Sequence, residues 1–434
     1  MMKLLQPGMR VKRWVALIFV GLVATSLGFA YILTHIYRVQ PFPEVAGVLT
    51  LQFIDRLERG ILFVVFGLFF FFIGLLRLNQ SMLAAFVGNN GNNKSVVDTI
   101  YSYRVRQRGP RIVVIGGGTG LSVALRGLKT HTSNLTAIVT VADDGGSSGR
   151  LRRDLGVLPP GDFRNCMVAL ADVEPLMENL FQYRFNQGSG LEGHSFGNLF
   201  IVAMSEVTGN FERAIEESSR VLAVRGQVLA STLADVTLCA ETEGAETVQG
   251  ESSISASSYR IRRVYLEPGD PPANPAAIKA LMEADVIVIG PGSLYTSVLP
   301  NLVVRGLGKA LMDSSALKIY VCNVATQPGE TDGYGIDDHI DAILQHLGGK
   351  RNPFDFVLAN SRLGLRMPAS GRVKPVPPSA DGSEGPGPQV VLREVVDEDN
   401  AVRHDSAKLA QAIVRLYEDS SERSGTWAKI GQYV

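Results

Sequence analysis

The chain has 434 residues, and its 42 basic and 42 acidic side chains give a formal net charge of zero. With no net positive charge and no basic motif, we expect no nucleic-acid partner. Apolar residues form 46% of the sequence, which excludes a wholly disordered chain. The three cysteines are widely spaced and form no CxxC pair, which argues against a disulfide framework and a cysteine zinc site.

Two uncharged runs near the N-terminus predict a membrane anchor. The first, Trp14 to Thr34, has 21 residues and would span about 31 Å as a helix, enough for a bilayer core. The second, Gly60 to Leu76, has 17 residues. We predict transmembrane helices at about residues 14–36 and 60–78, within an anchor of residues 1–87. A cleaved signal peptide is the alternative for the first run, but its length and the second run favour an anchor.

Basic residues set the expected orientation of this anchor. They precede the first run at Lys3, Arg10, Lys12 and Arg13, and they follow the second at Arg77, Lys94, Arg104, Arg106, Arg108 and Arg111. By the positive-inside rule, both ends face the cytoplasm. The expected location is therefore the cell membrane, with the large C-terminal domain in the cytoplasm.

Apolar runs that end at glycines or acids predict an α/β domain over residues 111–365, after a polar linker at 88–110. Such runs include Arg111 to Ile115, Thr136 to Val141 and Val286 to Ile289, and helical patterns lie between them. We predict a doubly wound, Rossmann-like, mostly parallel sheet with a small β-rich insertion at about residues 223–266. A flexible Pro/Gly-rich segment at 366–388 and a C-terminal strand and helix at 389–434 complete the expected organisation.

A glycine-rich turn after the first strand is a candidate phosphate site. It includes Gly117, Gly118, Thr119 and Gly120. Glycines let backbone N–H groups approach a phosphate, and the helix N-terminus adds positive partial charge. The turn matches neither the dinucleotide fingerprint nor the P-loop, and a plain strand-to-helix turn is the alternative.

Polar segments after the second strand are candidates for ligand contact or chemistry. Asp143 and Asp144 could hold a ribose, bind Mg²⁺ or act as a base, and Arg164 could steady developing charge. A solvated acidic turn is the alternative, and Asp162 could be only a helix N-cap. The other candidate contacts from this region are Ser147, Ser148, Asp162 and Asn165.

Further candidates lie on three later segments. His194 and Asn198 are one helical turn apart between glycines. Tyr295, in a second glycine-rich turn, could stack on a base or pack inward. The remaining candidates in the later turns are Gly292, Ser293, Thr296, Asn323, Thr326, Gln327 and Glu330. Because the carboxyl ends of parallel strands share one edge of a sheet, we expect these segments to meet.

Taken in order, these segments resemble the gluconeogenesis factor family, within the superfamily of 2-phospho-L-lactate transferases. The resemblance covers about residues 111–361. It implies a Rossmann-like fold, a cytoplasmic position, binding of a UDP-sugar such as UDP-N-acetylglucosamine, and a role in cell shape and carbon partition on gluconeogenic substrates. In the transferase relatives it implies a nucleotide-activated phospholactate donor and Mg²⁺. The membrane anchor departs from the family pattern.

Two functions from different classes follow. The first is a membrane-anchored regulator that binds a UDP-sugar and signals to cell-wall synthesis proteins, with a homodimer as one expected assembly. The second is a transferase in which the glycine-rich turn holds phosphate while Asp143 and Asp144 carry Mg²⁺ or take a proton. No deazaflavin-binding signature is visible, so the sequence favours the regulator, and no catalytic residue is assigned beyond Asp143, Asp144 and Arg164 as candidates.

Overall fold

The structure, a computed structural model, describes residues 20–35 and 51–86 with a few gaps, and 106–423 except 365–372, 378–387 and a few isolated positions. The chain forms two compact units, Met1–Arg104 with Ala428–Val434, and Val105–Trp427. Parts of the predicted first span (14–36), the predicted linker (88–110) and the Pro/Gly-rich segment (366–388) lie outside the described residues.

The first unit contains helix α1, Arg56–Phe86, which includes the second predicted span. Across the described residues, no helix combines the length and the apolarity that crossing a bilayer requires. This finding contradicts the predicted membrane location, and the two-helix anchor is unsupported.

The second unit is built on a seven-stranded sheet with the order β10-β9-β8-β7-β1-β2-β3. Every neighbouring pair in this sheet is parallel. The strands are β1 Ile112–Gly116, β2 Leu135–Val139, β3 Gln227–Ala230, β7 Val286–Ile289, β8 Leu317–Val321, β9 Phe356–Asn360 and β10 Gln389–Arg393. The predicted α/β fold with a mostly parallel sheet is therefore confirmed.

Helices connect and cover these strands. Their apolar faces pack on the strands and form one hydrophobic core with them. Every residue of strand β1 in this core is buried. The helices are α2 Gly118–Leu128, α3 Gly146–Leu155, α4 Gly161–Leu170, α5 Pro175–Gln182, α6 Phe196–Thr208, α7 Phe211–Val221, α8 Glu251–Ala256, α9 Pro275–Glu283, α10 Leu299–Leu302, α11 Arg305–Asp313, α12 Ile336–His346 and α13 Ser406–Arg423, with a π-helix at Leu294–Val298.

A small antiparallel sheet lies outside the main one, with the order β5-β4-β6. Its strands are β4 Thr237–Thr242, β5 Thr247–Gln249 and β6 Ile261–Glu267. It occupies most of the segment for which the sequence predicts a β-rich insertion. The first strand of that segment, β3, instead pairs in parallel with β2 and forms the edge of the main sheet.

The strand order places a topological switch point between β1 and β7. From β1 the chain proceeds to β2 and β3 on one side, whereas β7 is followed by β8, β9 and β10 on the other. Connections that leave in opposite directions open a crevice at the carboxyl ends of the two central strands, which is where ligands bind in open α/β sheets.

Candidate functional site

A cavity of about 330 Å³ lies at this switch point. It is formed by the turns after β1, β7 and β8, together with the residues just before α13. Nine predicted site residues line it, namely Gly117, Gly118, Thr119, Gly120, Gly292, Ser293, Asn323, Thr326 and Gln327. The topology thus brings three separate glycine-rich or polar turns to one place.

The turn after β1 presents backbone rather than side chains to the cavity. Gly117 is the N-cap of α2 and supplies no side-chain cap. Gly118 has φ +62°, a left-handed conformation that favours glycine. A Cβ at Gly120 would lie 2.4 Å from the carbonyl oxygen of Pro291, so the turns after β1 and β7 approach too closely for a side chain. The N-terminus of α2, which its own N-cap residue does not cap, therefore lies at the cavity.

Asp162, which is far from this turn in the sequence, fixes it through a hydrogen bond. Gly118 N donates a hydrogen bond of 2.7 Å to Asp162 Oδ2. The possible N-cap role of Asp162 is not observed, because α4 begins one residue earlier, at Gly161, with Pro160 as its N-cap. Burial raises the pKa of Asp162 to about 6, and the neighbouring Asp143 adds to the increase.

Side-chain amides join the turns after β7 and β8. Gly292 N donates to Asn323 Oδ1 over 3.3 Å, and Asn323 Nδ2 donates back to the Gly292 carbonyl over 2.9 Å. Gln327 Nε2 donates to Ser293 Oγ over 2.6 Å. Gln327 Oε1 is buried and has no hydrogen-bond partner among the described residues. This arrangement leaves an acceptor without a protein donor next to the cavity.

A buried asparagine, Asn301, links the end of β1 to the π-helix after β7. Asn301 is completely buried, and its Nδ2 donates to the carbonyls of Gly116 over 3.0 Å and Ser297 over 2.8 Å. The first carbonyl ends β1 and the second belongs to the π-helix after β7. The amide therefore fixes the two sides of the crevice to each other.

The C-terminal segment supplies a wall that the sequence analysis missed. Arg403 and His404 line the cavity, and neither was among the predicted site residues. They are brought there because α13 packs on α2, with the Ser406 carbonyl so close to Gly127 that a Cβ there would lie 1.9 Å from it. No local pattern marks these residues, since only tertiary packing places them. Arg403 is exposed and brings a cation to the cavity.

Carboxylates gather beside the glycine turn rather than in the cavity. Asp144 Oδ1 accepts a 2.9 Å bond from Ser252 N of α8, and Asp143 Oδ1 accepts a 2.9 Å bond from Gly145 N. Burial raises the pKa of Glu251 to about 7, and Asp143, Asp144 and other nearby carboxylates raise it further. The pKa of Asp143 is also raised, mainly by burial. The sequence analysis did not select Glu251.

The expected Mg²⁺ ligands, Asp143 and Asp144, each accept a hydrogen bond from the backbone. In the part of the chain that the structure describes, no group of three or more His, Cys, Asp and Glu side chains is arranged to hold a metal ion. One oxygen each of Asp143 and Asp144 is already engaged by a backbone N–H. Mg²⁺ is usually held by one or two carboxylates together with substrate phosphates, so a Mg²⁺ site at Asp143 and Asp144 stays a prediction.

A second group of predicted residues forms a buried hydrogen-bonded trio. Ser147 Oγ lies 3.0 Å from His194 Nδ1, and Asn198 Nδ2 donates to Ser147 Oγ over 3.1 Å. Ser148 Oγ accepts a bond of 3.1 Å from Gly161 N, which ties α3 to α4. None of these side chains lines the cavity at the switch point.

Arg164 is a buried cation next to this trio. Its guanidinium donates to Ser195 Oγ and, over 2.9 Å, to Asn165 Oδ1. Burial lowers the pKa of Arg164, while Asp162 and Asp143 oppose the decrease. Arg164 and Asn165 thus bond to protein groups, and the cation stabilises the acidic region.

Tyr295, Thr296 and Glu330 are buried in the core. Tyr295 is 2% exposed, and its hydroxyl lies 2.9 Å from that of Tyr334. Glu330 accepts bonds from Thr296 Oγ1 at 3.0 Å and from Tyr295 N at 3.2 Å, and burial raises the pKa of Glu330. The π-helix turns the Tyr295 ring inward, so the structure does not place it where it could stack on a base in the cavity.

Comparison with known proteins identifies the family. The family described as 2-phospho-L-lactate transferase CofD matches residues 112–396. The chain belongs to this family. The match includes β1 and the acidic region but ends before Arg403, so the cationic wall lies beyond the matched residues.

Individual relatives show which members of this family the chain resembles. A protein from Bacillus subtilis named "Gluconeogenesis factor" is 48% identical over 315 residues, which are 71% of this chain and 99% of the relative. A relative from Nostoc sp. is 48% identical over 425 residues, which are 96% of this chain and 92% of the relative. The crystal structure of protein BH3568 from Bacillus halodurans aligns with a TM-score of 0.67 and 47% identity, covering 71% of this chain and all of that one. The predicted resemblance to gluconeogenesis factors is therefore confirmed.

Proposed function

We propose that this gluconeogenesis-factor relative is a regulatory protein that binds a UDP-sugar, such as UDP-N-acetylglucosamine, and adjusts cell shape and carbon partition during growth on gluconeogenic substrates. The name of the Bacillus subtilis relative supports the link to gluconeogenesis. Cell-wall synthesis proteins are the recipients of the signal in this proposal.

The observation that carries the proposal is the cavity at the switch point, which is lined by the first turn of α2 and by Arg403. The Gly118 N–H of that turn is already bonded to Asp162, and the other N–H groups of the turn are the ones offered to a ligand. The partial positive charge of α2 and the guanidinium of Arg403 both favour an anion between them. A diphosphate fits this chemistry because it accepts hydrogen bonds from backbone N–H groups and from a planar guanidinium.

Amides on the opposite wall suit the uridine half. Asn323 and Gln327 present side chains to the cavity, and Gln327 Oε1 still lacks a donor among the described residues. The uracil N3–H or a ribose hydroxyl would supply one. A buried acceptor left without a donor is unfavourable by about 1–3 kcal/mol, so filling it favours binding.

Thermal unfolding of the full chain with UDP-N-acetylglucosamine tests the proposal. Ligand at about one hundred times its Kd should add about 2.7 kcal/mol to the free energy of unfolding. Arg403→Ala should weaken binding by at least tenfold in calorimetry. The matched control is Arg415→Ala, an exposed arginine on α13 that does not line the cavity, and it should bind like the wild type. Equal affinity of Arg403→Ala and the wild type, or no binding by either, would refute the proposed site.

The family match supports a second candidate, a transferase that uses a nucleotide-activated phospholactate donor. Asp162 and Glu251 lie in the acidic region beside the glycine turn, and their pKa values, raised to about 6 and about 7, suit proton transfer near neutral pH. Mass spectrometry with a phospholactyl-nucleotide donor and a deazaflavin acceptor decides between the candidates. A coupled product would favour the transferase, and UDP-sugar binding without any product would favour the regulator.

A further inference from the structure

A second cavity, of about 420 Å³, lies beside helix α3 and shares no lining residue with the cavity at the switch point. Two successive turns of α3 and the loop before α6 form it. Its lining consists of Arg150, Asp154, Gln187, Gly188, Gly190, Glu192 and His194. Apart from the glycines, each of these residues has a hydrogen-bonding side chain, so the cavity suits a polar ligand.

The trio of Ser147, His194 and Asn198 fixes which hydrogen-bonding groups the cavity offers. The Asn198 amide occupies one acceptor position of Ser147 Oγ, and we assign the serine hydroxyl as the donor to His194 Nδ1. His194 Nδ1 then accepts, and Nε2 carries the proton. Burial lowers the pKa of His194, with Arg150 contributing, which favours the neutral ring. The imidazole therefore brings a defined N–H donor to the cavity wall.

The same trio contains an unsatisfied acceptor. Asn198 is 2% exposed, and its Oδ1 has no hydrogen-bond partner among the described residues. Buried acceptors are nearly always satisfied by protein, water or ligand. Asn198 does not line the cavity, so this oxygen is not a contact that the cavity offers to a ligand.

The charge of the wall selects among polar ligands. The carboxylates of Asp154 and Glu192 outnumber the guanidinium of Arg150, which donates over 3.0 Å to the Glu192 carbonyl. Two carboxylates against one cation disfavour a phosphate. They accept hydrogen bonds from neutral hydroxyls, and Arg150 and His194 donate to them.

We infer that this second cavity binds a neutral polyhydroxylated ring, through the Nε2–H of His194, the guanidinium of Arg150 and the carboxylates of Asp154 and Glu192. The ring is either a free sugar or the sugar half of a nucleotide sugar. Only the second source depends on the proposed function. A volume of about 420 Å³ is within the range of small-molecule sites.

Saturation-transfer NMR on the full chain tests this inference, with free N-acetylglucosamine, UDP-N-acetylglucosamine and UDP as probes. The wild type should transfer saturation to sugar-ring protons of at least one sugar probe. His194→Asn keeps an acceptor near the Nδ1 position for Ser147 but removes the Nε2 donor, and it should reduce the transfer at least fivefold. Arg150→Ala should do the same. Arg153→Ala is the matched control, an exposed arginine on the same helix that does not line the cavity.

The outcomes distinguish a free sugar from the sugar half of a nucleotide sugar. Transfer to free N-acetylglucosamine identifies an independent sugar site, whereas transfer to the sugar of UDP-N-acetylglucosamine alone identifies the sugar half of a nucleotide sugar. If free sugar binds and uridine protons receive no saturation, the cavity stands and the proposed nucleotide function falls. No transfer to either sugar overturns the inference, as does equal transfer in the wild type and His194→Asn.

Discussion

Replacing Glu251 by glutamine tests whether the acidic region beside the glycine turn destabilises the fold. The carboxyl lies near Asp143, Asp144, Glu330 and Asp162, and burial together with these charges raises its pKa from 4.5 to about 7. Each tenfold change in proton affinity corresponds to about 1.4 kcal/mol, so the ionised form disfavours the folded state by about 3 kcal/mol. Glu251→Gln removes the charge at nearly constant shape.

The effect depends on pH in a defined direction. Below pH 4.5 the carboxyl is protonated in both the folded and unfolded states, and its charge has no effect. Between pH 4.5 and about 7 only the unfolded chain loses the proton, so wild-type stability falls as pH rises. Above about pH 7 the penalty is complete. Glu251→Gln should therefore exceed the wild type in stability at pH 8 by up to about 3 kcal/mol, and the difference should shrink towards pH 5.

Urea denaturation at pH 5, 6.5 and 8 measures this difference. Glu246→Gln, on an exposed position of the same insertion, is the matched control and should show little change with pH. A Glu251→Gln protein that is less stable than the wild type at pH 8, or that differs from it equally at all three pH values, would refute the electrostatic interpretation.

Three further changes test the packing around the cavity. Asn301→Ala leaves two carbonyls without donors and should lower the free energy of unfolding in urea by about 1–3 kcal/mol; an unchanged midpoint would contradict the supporting role of this amide. Gly120→Ala brings a Cβ to 2.4 Å from a backbone oxygen, so it should lower the free energy of unfolding by about 1–3 kcal/mol and weaken UDP-sugar binding. Gly244→Ala is the control, because the nearest atom would be 3.7 Å away, and its free energy of unfolding should lie within about 1 kcal/mol of the wild-type value. Tyr334→Phe removes the partner of the buried Tyr295 hydroxyl and should lower stability by about 1 kcal/mol in the same assay, and an unchanged or increased stability would show that this pair contributes nothing.

The strands near the centre of the sheet were predictable because each is a short apolar run with a polar end. The expected strand from Thr136 to Val141 is observed as Leu135–Val139, and the expected strand from Val286 to Ile289 is observed with the same bounds. In a parallel sheet the ends of such runs face one edge, so the meeting of the glycine turns after β1 and β7 also followed from sequence.

The parts of the site that depend on long-range packing were not predictable. Arg403 and Glu251 have no motif around them, and only the docking of α13 on α2 and of α8 on the Asp144 turn places them. The sequence places the aromatic ring of Tyr295 in a glycine-rich turn. From there the ring could stack on a base or pack inward, and the sequence does not distinguish the two. A π-helix, which no periodicity in five residues reveals, selects the inward position.

If the cavity binds the proposed ligand, the packing of α13 on α2 also sets which parts of the chain must be present for binding. The phosphate-facing turn belongs to the first strand and helix of the main sheet, whereas Arg403 is translated nearly at the end of the chain. A fragment that ends before Arg403 keeps the turn but lacks this cation. Under the proposed function, such a fragment should bind the ligand more weakly than the full chain.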